Sequence, residues 1–319
     1  MTGVCVLCGG VGAARFLAGL IGVRPPDTVT AVVNTGDDTE LHGLAISPDL
    51  DTITYTLAGA IDPERGWGLV GETWRAMDAL GRYAAVRPDG SAAAPTWFNL
   101  GDQDLATHFY RTARLAEGAT LTDVTGEIAR AWGLTLGIVP MTDGRLRTLI
   151  TLATGEVVSF QDYFVRLRHS VPVAGVEFAG SAALGPAPAA AIAEADVVVI
   201  APSNPLVSIG PIRALPGVDA LLAERRDRNV AVSPIVGGAA LKGPADRMLT
   251  ELGMEPSVAG VARLYAPVAS ALVIDPVDAE MAAAVEAEGM RAVVAPSIMS
   301  TPERARALAV ATLAAIQPT

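Results

Sequence analysis

One short segment near the start of the chain sets the expected fold: Val4-Cys5-Val6-Leu7-Cys8-Gly9-Gly10-Val11-Gly12-Ala13-Ala14-Arg15. An apolar run typical of a buried strand ends in glycines, and an amphipathic helix pattern follows. Such a junction leaves backbone N–H groups free at a helix N-terminus, where anions bind. The segment therefore predicts a phosphate site. It matches neither G-x-G-x-x-G, because Arg15 stands at the third glycine position, nor a P-loop, because no Gly-Lys-Ser/Thr follows.

Similar apolar runs alternate with helical patterns along the chain, which is typical of a doubly wound, mostly parallel α/β sheet of the Rossmann-like class. The predicted strands are Val4–Cys8, Val29–Asn34, Thr135–Pro140, Asp196–Ala201, Asn229–Pro234, Ala271–Asp275 and Arg291–Ala295. Two further segments, Thr148–Thr154 and Glu156–Phe160, predict a hairpin at one side of this sheet.

The strand signal fades in residues 53–123, where apolar residues recur at helical spacing. This region is predicted to be a helical insertion, contributing to an acceptor site, in a nucleotide-binding core formed by residues 1–52 and 124–319. One expected buried stripe consists of Leu105, Phe109 and Ala113. Asp102, just before that helix, is suited to be its N-cap.

Composition narrows the classes of partner. The 319-residue chain is 51% hydrophobic with a net charge of −11, so no nucleic-acid or anionic-membrane surface is expected. Lys242 is the only lysine, and any bound phosphate must be held locally. No apolar run is long enough for a membrane span, which predicts a cytoplasmic protein. Cys5 and Cys8 lie at an odd offset in one strand, so we expect core thiols on opposite faces.

In open α/β sheets the ligand binds beyond the carboxyl ends of the strands. The segments that follow the predicted strands are polar or glycine-rich, and we expect several of them to line one crevice. The residues predicted to bind a nucleotide diphosphate are Gly9, Gly10, Val11, Gly12, Asn34, Ser203 and Asn204.

Carboxylates gather near these loops. Asp37 and Asp38 follow the second strand, and Asp49 and Asp51 lie where an extended segment would point both side chains the same way. Carboxylates beside phosphates repel one another unless a cation lies among them, and hard oxygen ligands suit Mg²⁺ or Mn²⁺. In the alternative interpretation, Asp37 and Asp38 are solvated turn residues and Asp49 belongs to a helix cap.

Other polar residues give weaker signals. No pair among His42, His108 and His169 has metal-ligand spacing, and His169 is assigned a structural role. The segment Phe160–Arg168 mixes aromatic rings with two arginines. That pattern suits a flat or phosphorylated ligand, but a hairpin packed on the core would have the same composition.

Together these motifs resemble the phospholactate transferase family of coenzyme F-420 biosynthesis, with its actinobacterial phosphoenolpyruvate transferase branch. The resemblance runs nearly end to end. Its motifs are Gly9–Gly12, Val33–Asp38, Ser47–Thr52, Leu100–His108, Phe160–Asp162, Pro202–Pro205 with Ser208–Pro211, and Ser233–Ile235.

The resemblance implies a transfer reaction that requires Mg²⁺. The donor would be a guanosine diphosphate ester of lactate or enolpyruvate, the acceptor a ribityl hydroxyl of the deazaflavin Fo (7,8-didemethyl-8-hydroxy-5-deazariboflavin), and the leaving group GMP. Asp51 and Asn99 would lie near Fo. We expect Asp37, Asp38 and Asp51 to be the catalytic residues, which hold the metal or orient the hydroxyl. Lactyl and enolpyruvyl donors are not distinguished, and a homodimer is one open option.

Two alternatives differ in class. A family of gluconeogenesis factors resembles the transferases in its glycine-rich start and its Asn-Thr strand end, which would make this chain a nucleotide-sugar-binding regulatory protein. An NAD-dependent dehydrogenase is a weaker fit, because Asn34 stands where an acid that binds the ribose is expected.

Overall fold

The computed structural model describes residues 3–91 and 93–316 and is built around one parallel sheet. Its strands, numbered along the chain, are β1 (Val4–Cys8), β2 (Val29–Val33), β3 (Thr39–Leu41), β4 (Leu44–Ile46), β5 (Gly137–Pro140), β6 (Leu146–Leu152), β7 (Val157–Ser159), β8 (Val173–Gly180), β9 (Val197–Ile200), β10 (Asn229–Val232), β11 (Ile235–Val236), β12 (Ala239–Ala240), β13 (Ala271–Ile274) and β14 (Arg291–Val294). In the described chain the main sheet has the order β14-β13-β10-β9-β1-β2-β5.

Helices cover both faces of this sheet. They are α1 (Gly10–Ile21), α2 (Pro48–Leu57), α3 (Arg75–Ala84), α4 (Asp104–Ala116), α5 (Leu121–Ala131), α6 (Pro186–Glu194), α7 (Gly210–Ala214), α8 (Val218–Glu224), α9 (Ala245–Glu251), α10 (Val258–Tyr265), α11 (Ala282–Ala287) and α12 (Pro302–Ala314). No helix in the described ranges combines the length and apolar content needed to cross a bilayer.

The prediction of a doubly wound parallel sheet is confirmed. Every predicted strand of that sheet forms, with ends that differ by at most two residues, because strands covered on both faces read as continuous Val/Ile-rich runs. Cys5 packs on one face and Cys8 on the other, both fully buried, as expected. Burial raises the pKa of the Cys5 thiol to about 12, which leaves it an inert core residue.

The predicted hairpin belongs to a different sheet. β6 and β7 pair as expected, but β6 also pairs antiparallel with β8, and the three strands form a small separate sheet. β8 was not predicted because its sequence, VAGVEFAG, contains two glycines and stays largely exposed, so it lacks an apolar run. The Phe160–Arg168 segment begins after β7 and forms a π-helical turn, Asp162–Arg166.

The expected stripe of α4 is wrong. Phe109 is 57% exposed, and the buried side chains of this helix are instead the polar residues Thr107, His108 and Arg111. Spacing alone favoured the apolar side of the helix, but α4 packs on β4 and turns its polar side toward charged partners on α2. Tertiary contacts therefore override the local pattern.

Asp102 also differs from its predicted role. Its carboxylate accepts hydrogen bonds from the backbone N–H groups of Arg75 (3.1 Å) and Ala76 (3.0 Å), so it caps α3 rather than its own helix. The N-terminus of α4 is capped by Glu72, which accepts from Gln103 N at 2.7 Å. The loop before α4 thus caps α3, and the loop before α3 caps α4.

The division of the chain into core and insertion stays a prediction. Residues 53–123 contain α3 and α4, but both predicted boundaries fall inside helices. The boundary at 52/53 lies in α2, and the boundary at 123/124 lies in α5. α2 packs against α1, which places its first turn at the carboxyl edge of the main sheet.

Helices α1 and α12 pack closely against each other. A Cβ added to Gly19 would collide with the backbone carbonyl of Ala305, whereas one added to Gly126 in α5 meets only the end of Arg130, at 3.4 Å. We expect Gly19→Ala to lower the unfolding free energy by about 1–3 kcal/mol. Gly126→Ala should raise it by up to about 1 kcal/mol. Urea denaturation measures both, and equal effects would contradict this packing.

Candidate functional site

The site is built around the glycine turn after β1. Gly9 N donates to Ser203 Oγ (3.2 Å), and that hydroxyl donates to Gly9 O (2.8 Å). These two hydrogen bonds join the loops that follow β1 and β9. The two strands are neighbours, and the strand order of the main sheet reverses between them. A Cβ on Gly9 would lie 3.1 Å from Ser208 Cβ and 3.2 Å from Asn34 Cβ. Glycine is therefore required there by crowding.

Four side chains, which we name the carboxylate cluster, meet at this turn: Asn34, Asp37, Asp38 and Asp49. The Asn34 amide is fully buried, and its Nδ2 donates to Asp37 Oδ2 (3.1 Å) and to Asp49 Oδ2 (2.9 Å). The other Asp49 oxygen accepts from Gly10 N at 2.8 Å. Ser47 Oγ donates to Asp38 Oδ2 at 2.7 Å. The cluster thus places three carboxyl groups beside the predicted phosphate turn.

The electrostatics of the cluster are unfavourable without a cation. Burial and then the charge of Asp49 raise the pKa of Asp37 well above its usual value, and burial is also the main cause that raises the pKa of Asp38. Burial raises the pKa of Asp49 to about 6. Within the described chain, Asp37 Oδ1 and Asp38 Oδ1 are buried without a hydrogen-bond partner. Unpartnered, mutually repelling carboxylate oxygens are the donor set that a hard divalent cation would satisfy.

Asp51 lies apart from this cluster. The expectation that an extended segment points Asp49 and Asp51 the same way is wrong, because both belong to the first turns of α2. Residues two apart on a helix point about 200° from each other. Asp49 therefore faces the glycine turn, while Asp51 faces α4. The sequence does not single out Asp49 as a metal ligand, since it pairs this residue with Asp51 or assigns it to a helix cap. The hydrogen bonds of Asp49 with Asn34 and Gly10 place it in the carboxylate cluster.

A second set of side chains, the arginine network, surrounds Asp51. Arg111 Nη1 donates to Asp51 Oδ2 (3.1 Å), and Arg111 Nη2 forms an ion pair with Asp51 Oδ1. Burial lowers the pKa of Arg111, but the charge and hydrogen bonds of Asp51 outweigh it and raise that pKa overall. The guanidinium is only 2% exposed. A charge this deeply buried requires its partner, so Asp51 and Arg111 form one unit.

The network continues through α4. His108 Nδ1 lies 3.3 Å from Arg111 Nη1, and His108 Nε2 lies 3.2 Å from Asp104 Oδ2. Since arginine can only donate, Nδ1 is the acceptor in the contact with Arg111. Tyr55 OH contacts Asp104 Oδ1 at 2.6 Å. Burial opposes the charged form of Asp104, but the contacts with His108 and Tyr55 lower its pKa overall.

Asp51, Asp104 and His108 also satisfy the distances of a metal site, with one ligand atom from each residue within 4.8 Å of the others. However, Arg111 already contacts both oxygens of Asp51. Arg111 thus already supplies positive charge to Asp51, and its charge also acts to lower the pKa of Asp38, whereas no positive charge lowers the pKa of Asp37 or Asp49. The orphaned oxygens favour the carboxylate cluster as the place for a cation.

The remaining predicted site residues belong neither to the carboxylate cluster nor to the arginine network. Val11 and Gly12 lie in the first turn of α1. Asn204 Oδ1 accepts from Leu206 N at 2.9 Å and shapes its own loop. Asn99 is exposed in the loop before α4. Arg111 was missed because a polar residue on a helix carries no signal in spacing.

The fold and the site define a doubly wound α/β protein with a phosphate-type glycine turn and buried carboxylates at the point where strand order reverses. The model of the family 2-phospho-L-lactate transferase CofD matches residues 4–312, and the chain belongs to this family. The predicted resemblance is therefore confirmed.

Curated relatives extend over nearly the whole chain. The phosphoenolpyruvate transferase of Streptomyces griseus is 40% identical over 312 residues, 96% of each protein. The phosphoenolpyruvate transferase of Mycobacterium avium is 42% identical over 288 residues, 82% of this chain and 83% of that protein. A crystal structure of a UPF0052 family member from Bacillus halodurans superposes with a TM-score of 0.62 at 14% identity and covers 98% of both chains, which supports the fold alone.

The raised pKa values predict the pH dependence of stability without divalent cations. The folded chain holds the Asp49 proton up to about pH 6, whereas the unfolded chain loses it near the ordinary value of 3.8. Asp49 should therefore lower the unfolding free energy by about 2 kcal/mol as pH rises from 4 to 6, after allowance for partial exposure, and the raised pKa values of Asp37 and Asp38 act in the same direction. Urea denaturation in EDTA measures this slope. Asp49→Asn should make the slope shallower and the exposed control Asp27→Asn should not, and a slope of opposite sign would contradict the burial of the cluster.

Proposed function

We propose that the protein transfers a phosphoenolpyruvyl group from a guanosine diphosphate-linked donor to the ribityl hydroxyl of Fo, releasing GMP, in coenzyme F-420 biosynthesis in the cytoplasm. The observation that carries the proposal is the group of buried carboxylates at the strand end: Asp49 accepts from Gly10 N in the glycine turn, Asn34 joins Asp49 to Asp37, and Ser47 holds Asp38. Family membership supports the transferase class. The enolpyruvyl form of the donor is supported by the relatives from Streptomyces, which are named phosphoenolpyruvate transferases.

The donor diphosphate is placed at the glycine turn, between the loops after β1 and β9. Asp49 Oδ1 accepts the hydrogen bond of Gly10 N. An incoming phosphate would meet that carboxylate before it met the backbone N–H, and two anions repel. Diphosphate binding at Gly9, Gly10, Val11, Gly12, Asn34, Ser203 and Asn204 is therefore coupled to neutralisation of the carboxylate cluster.

The donor set of the cluster fits Mg²⁺. Asp37, Asp38 and Asp49 would hold the ion, with Asp49 added to the predicted ligands and Asp51 assigned to the acceptor side. When bound, the ion would neutralise charge that develops on the diphosphate oxygens. This chain's own contribution is to hold three carboxyl groups in place through the Asn34 amide and the Ser47 hydroxyl.

The acceptor is placed at Asp51, with Asn99 at the outer end of the deazaflavin site. In the transfer step the ribityl oxygen forms a bond to the phosphorus that carries enolpyruvate, and the bond from that phosphorus to the GMP oxygen breaks. Asp51 accepts the hydrogen bond and then the proton of the attacking hydroxyl. Arg111 holds the carboxylate in one orientation, which is the main contribution a protein makes to phosphoryl transfer.

Changing Asp51 tests the acceptor role. We expect Asp51→Asn to lower kcat by about a thousandfold, because the hydroxyl loses the group that orients it, while GDP affinity changes little. GMP release and calorimetric titration of GDP are the measurements.

The neutral amide leaves Arg111 buried without its partner, so Asp51→Asn combined with Arg111→Met, which removes both charges, serves as the control for folding. Near-normal turnover in either folded variant would rule out the assignment of Asp51. Absence of GMP release by the wild type with both enolpyruvyl and lactyl donors, together with retained binding of a nucleotide sugar, would instead favour the regulatory alternative.

The position of the cation is tested by two substitutions on different sides of α2. We expect Mg²⁺ to tighten GDP binding by the wild type, and Asp49→Asn to weaken this effect about tenfold or more, because a ligand is lost. His108→Asn should retain the Mg²⁺ effect. Calorimetry with and without Mg²⁺ distinguishes the two sites. The opposite result would place the ion at Asp51, Asp104 and His108.

A further inference from the structure

The only lysine of the chain lies near the start of α1 although it is distant from that helix in sequence. Lys242 follows β12, and its Nζ lies 3.1 Å from the position that a Cβ on Gly66 would occupy. The same position is 3.8 Å from Val11 Cγ1. The ammonium group and the Val11 side chain, in the first turn of α1, thus border the same space beside Gly66, whose φ is 75°.

The loop that contains Gly66 is held by its neighbours. Arg65 forms an ion pair with Asp62 at 2.9 Å, and its guanidinium carbon lies 5.5 Å from the ring centroid of Trp67 and 5.4 Å from that of Trp74. These contacts are typical of cation–π stacking, which fixes the loop beside Lys242.

A second cation accompanies Lys242. Partial burial and then the charge of Arg15, on α1, lower the pKa of the Lys242 ammonium. Within residues 3–91 and 93–316 neither Lys242 nor Arg15 forms a salt bridge with a carboxylate. Both side chains are exposed, and Arg15 lies four residues after Val11 on the same side of α1. In a chain with a net charge of −11, two neighbouring cations without a carboxylate partner are an arrangement that an anionic ligand would stabilise.

We propose that Lys242 and Arg15 form the cationic half of a diphosphate-binding site, with the carboxylate cluster and its cation as the other half. Asp49 contacts the N–H of Gly10, and Lys242 borders the same space as the Val11 side chain. A diphosphate at the turn could therefore be reached by the lysine as well as by an ion held at the carboxylate cluster. The inference rests on the proposed function, and it adds two binding residues that the motifs at the strand ends did not indicate.

Because the chain has a single lysine, amine chemistry reports on this one side chain. The full-length protein is treated with limiting trinitrobenzenesulfonate, and modification of the Lys242 peptide is followed by mass spectrometry, with the N-terminal amine as internal reference. We expect GDP or inorganic pyrophosphate, each with Mg²⁺, to slow modification of Lys242 severalfold, whereas guanosine has no effect. Unchanged labelling by every one of these ligands would overturn the inference.

Variants separate this inference from the proposed function. Lys242→Met should weaken GDP binding about tenfold, as should Arg15→Met, while Lys242→Arg retains most of the affinity and the exposed control Arg304→Met retains all of it. If Lys242→Met binds GDP as tightly as the wild type does, the role of Lys242 is refuted while the proposed function stands. Protection by pyrophosphate without any GDP binding would support the anion site and refute the guanosine donor.

Discussion

The site depends on one interaction, the buried Asn34 amide that donates to Asp37 and Asp49 at once. Carboxyl groups separate when they are free to move, because each loses hydration and gains repulsion as the others approach. The amide is neutral and supplies a donor, so it brings these groups together without cancelling their charge. Under the proposed function, this arrangement would take up a cation and an anionic ligand together.

The two sides of helix α2 differ in the charges that surround their carboxylates. Asp49 on one side pairs through Asn34 with Asp37, and no positive charge lowers the pKa of either, whereas Asp51 on the other side is neutralised by Arg111. A buried arginine is a permanent partner that holds a carboxylate in one orientation, and a metal ion is an exchangeable one. Under the proposed function, this separation lets neighbouring aspartates in the motif Pro48-Asp49-Leu50-Asp51 serve opposite substrates of one reaction.

The main sheet was predictable because its strands are buried on both faces, which forces continuous runs of Val and Ile. Strand β8 was not, since its half-exposed residues and two glycines resemble a loop. The site residues also differ in how far the sequence predicts them. Because ligands bind where parallel strands end, the sequence predicted the residues that directly follow strands, which are Asn34, Asp37, Asp38 and Ser203. It did not predict Arg111 or Lys242, which reach the site from α4 and from the loop after β12.

By itself the sequence determined the α/β class, the strand ends where polar residues collect, and the family resemblance, because these depend on local pattern and on motifs in order. Only the tertiary structure decided which way Asp49 and Asp51 point, that α4 buries its polar side, and that Lys242 approaches the turn at Val11. Such features depend on helix phase and on contacts between residues far apart in the chain. Their energy comes from pairing charges away from water, and no local pattern records which charges will meet.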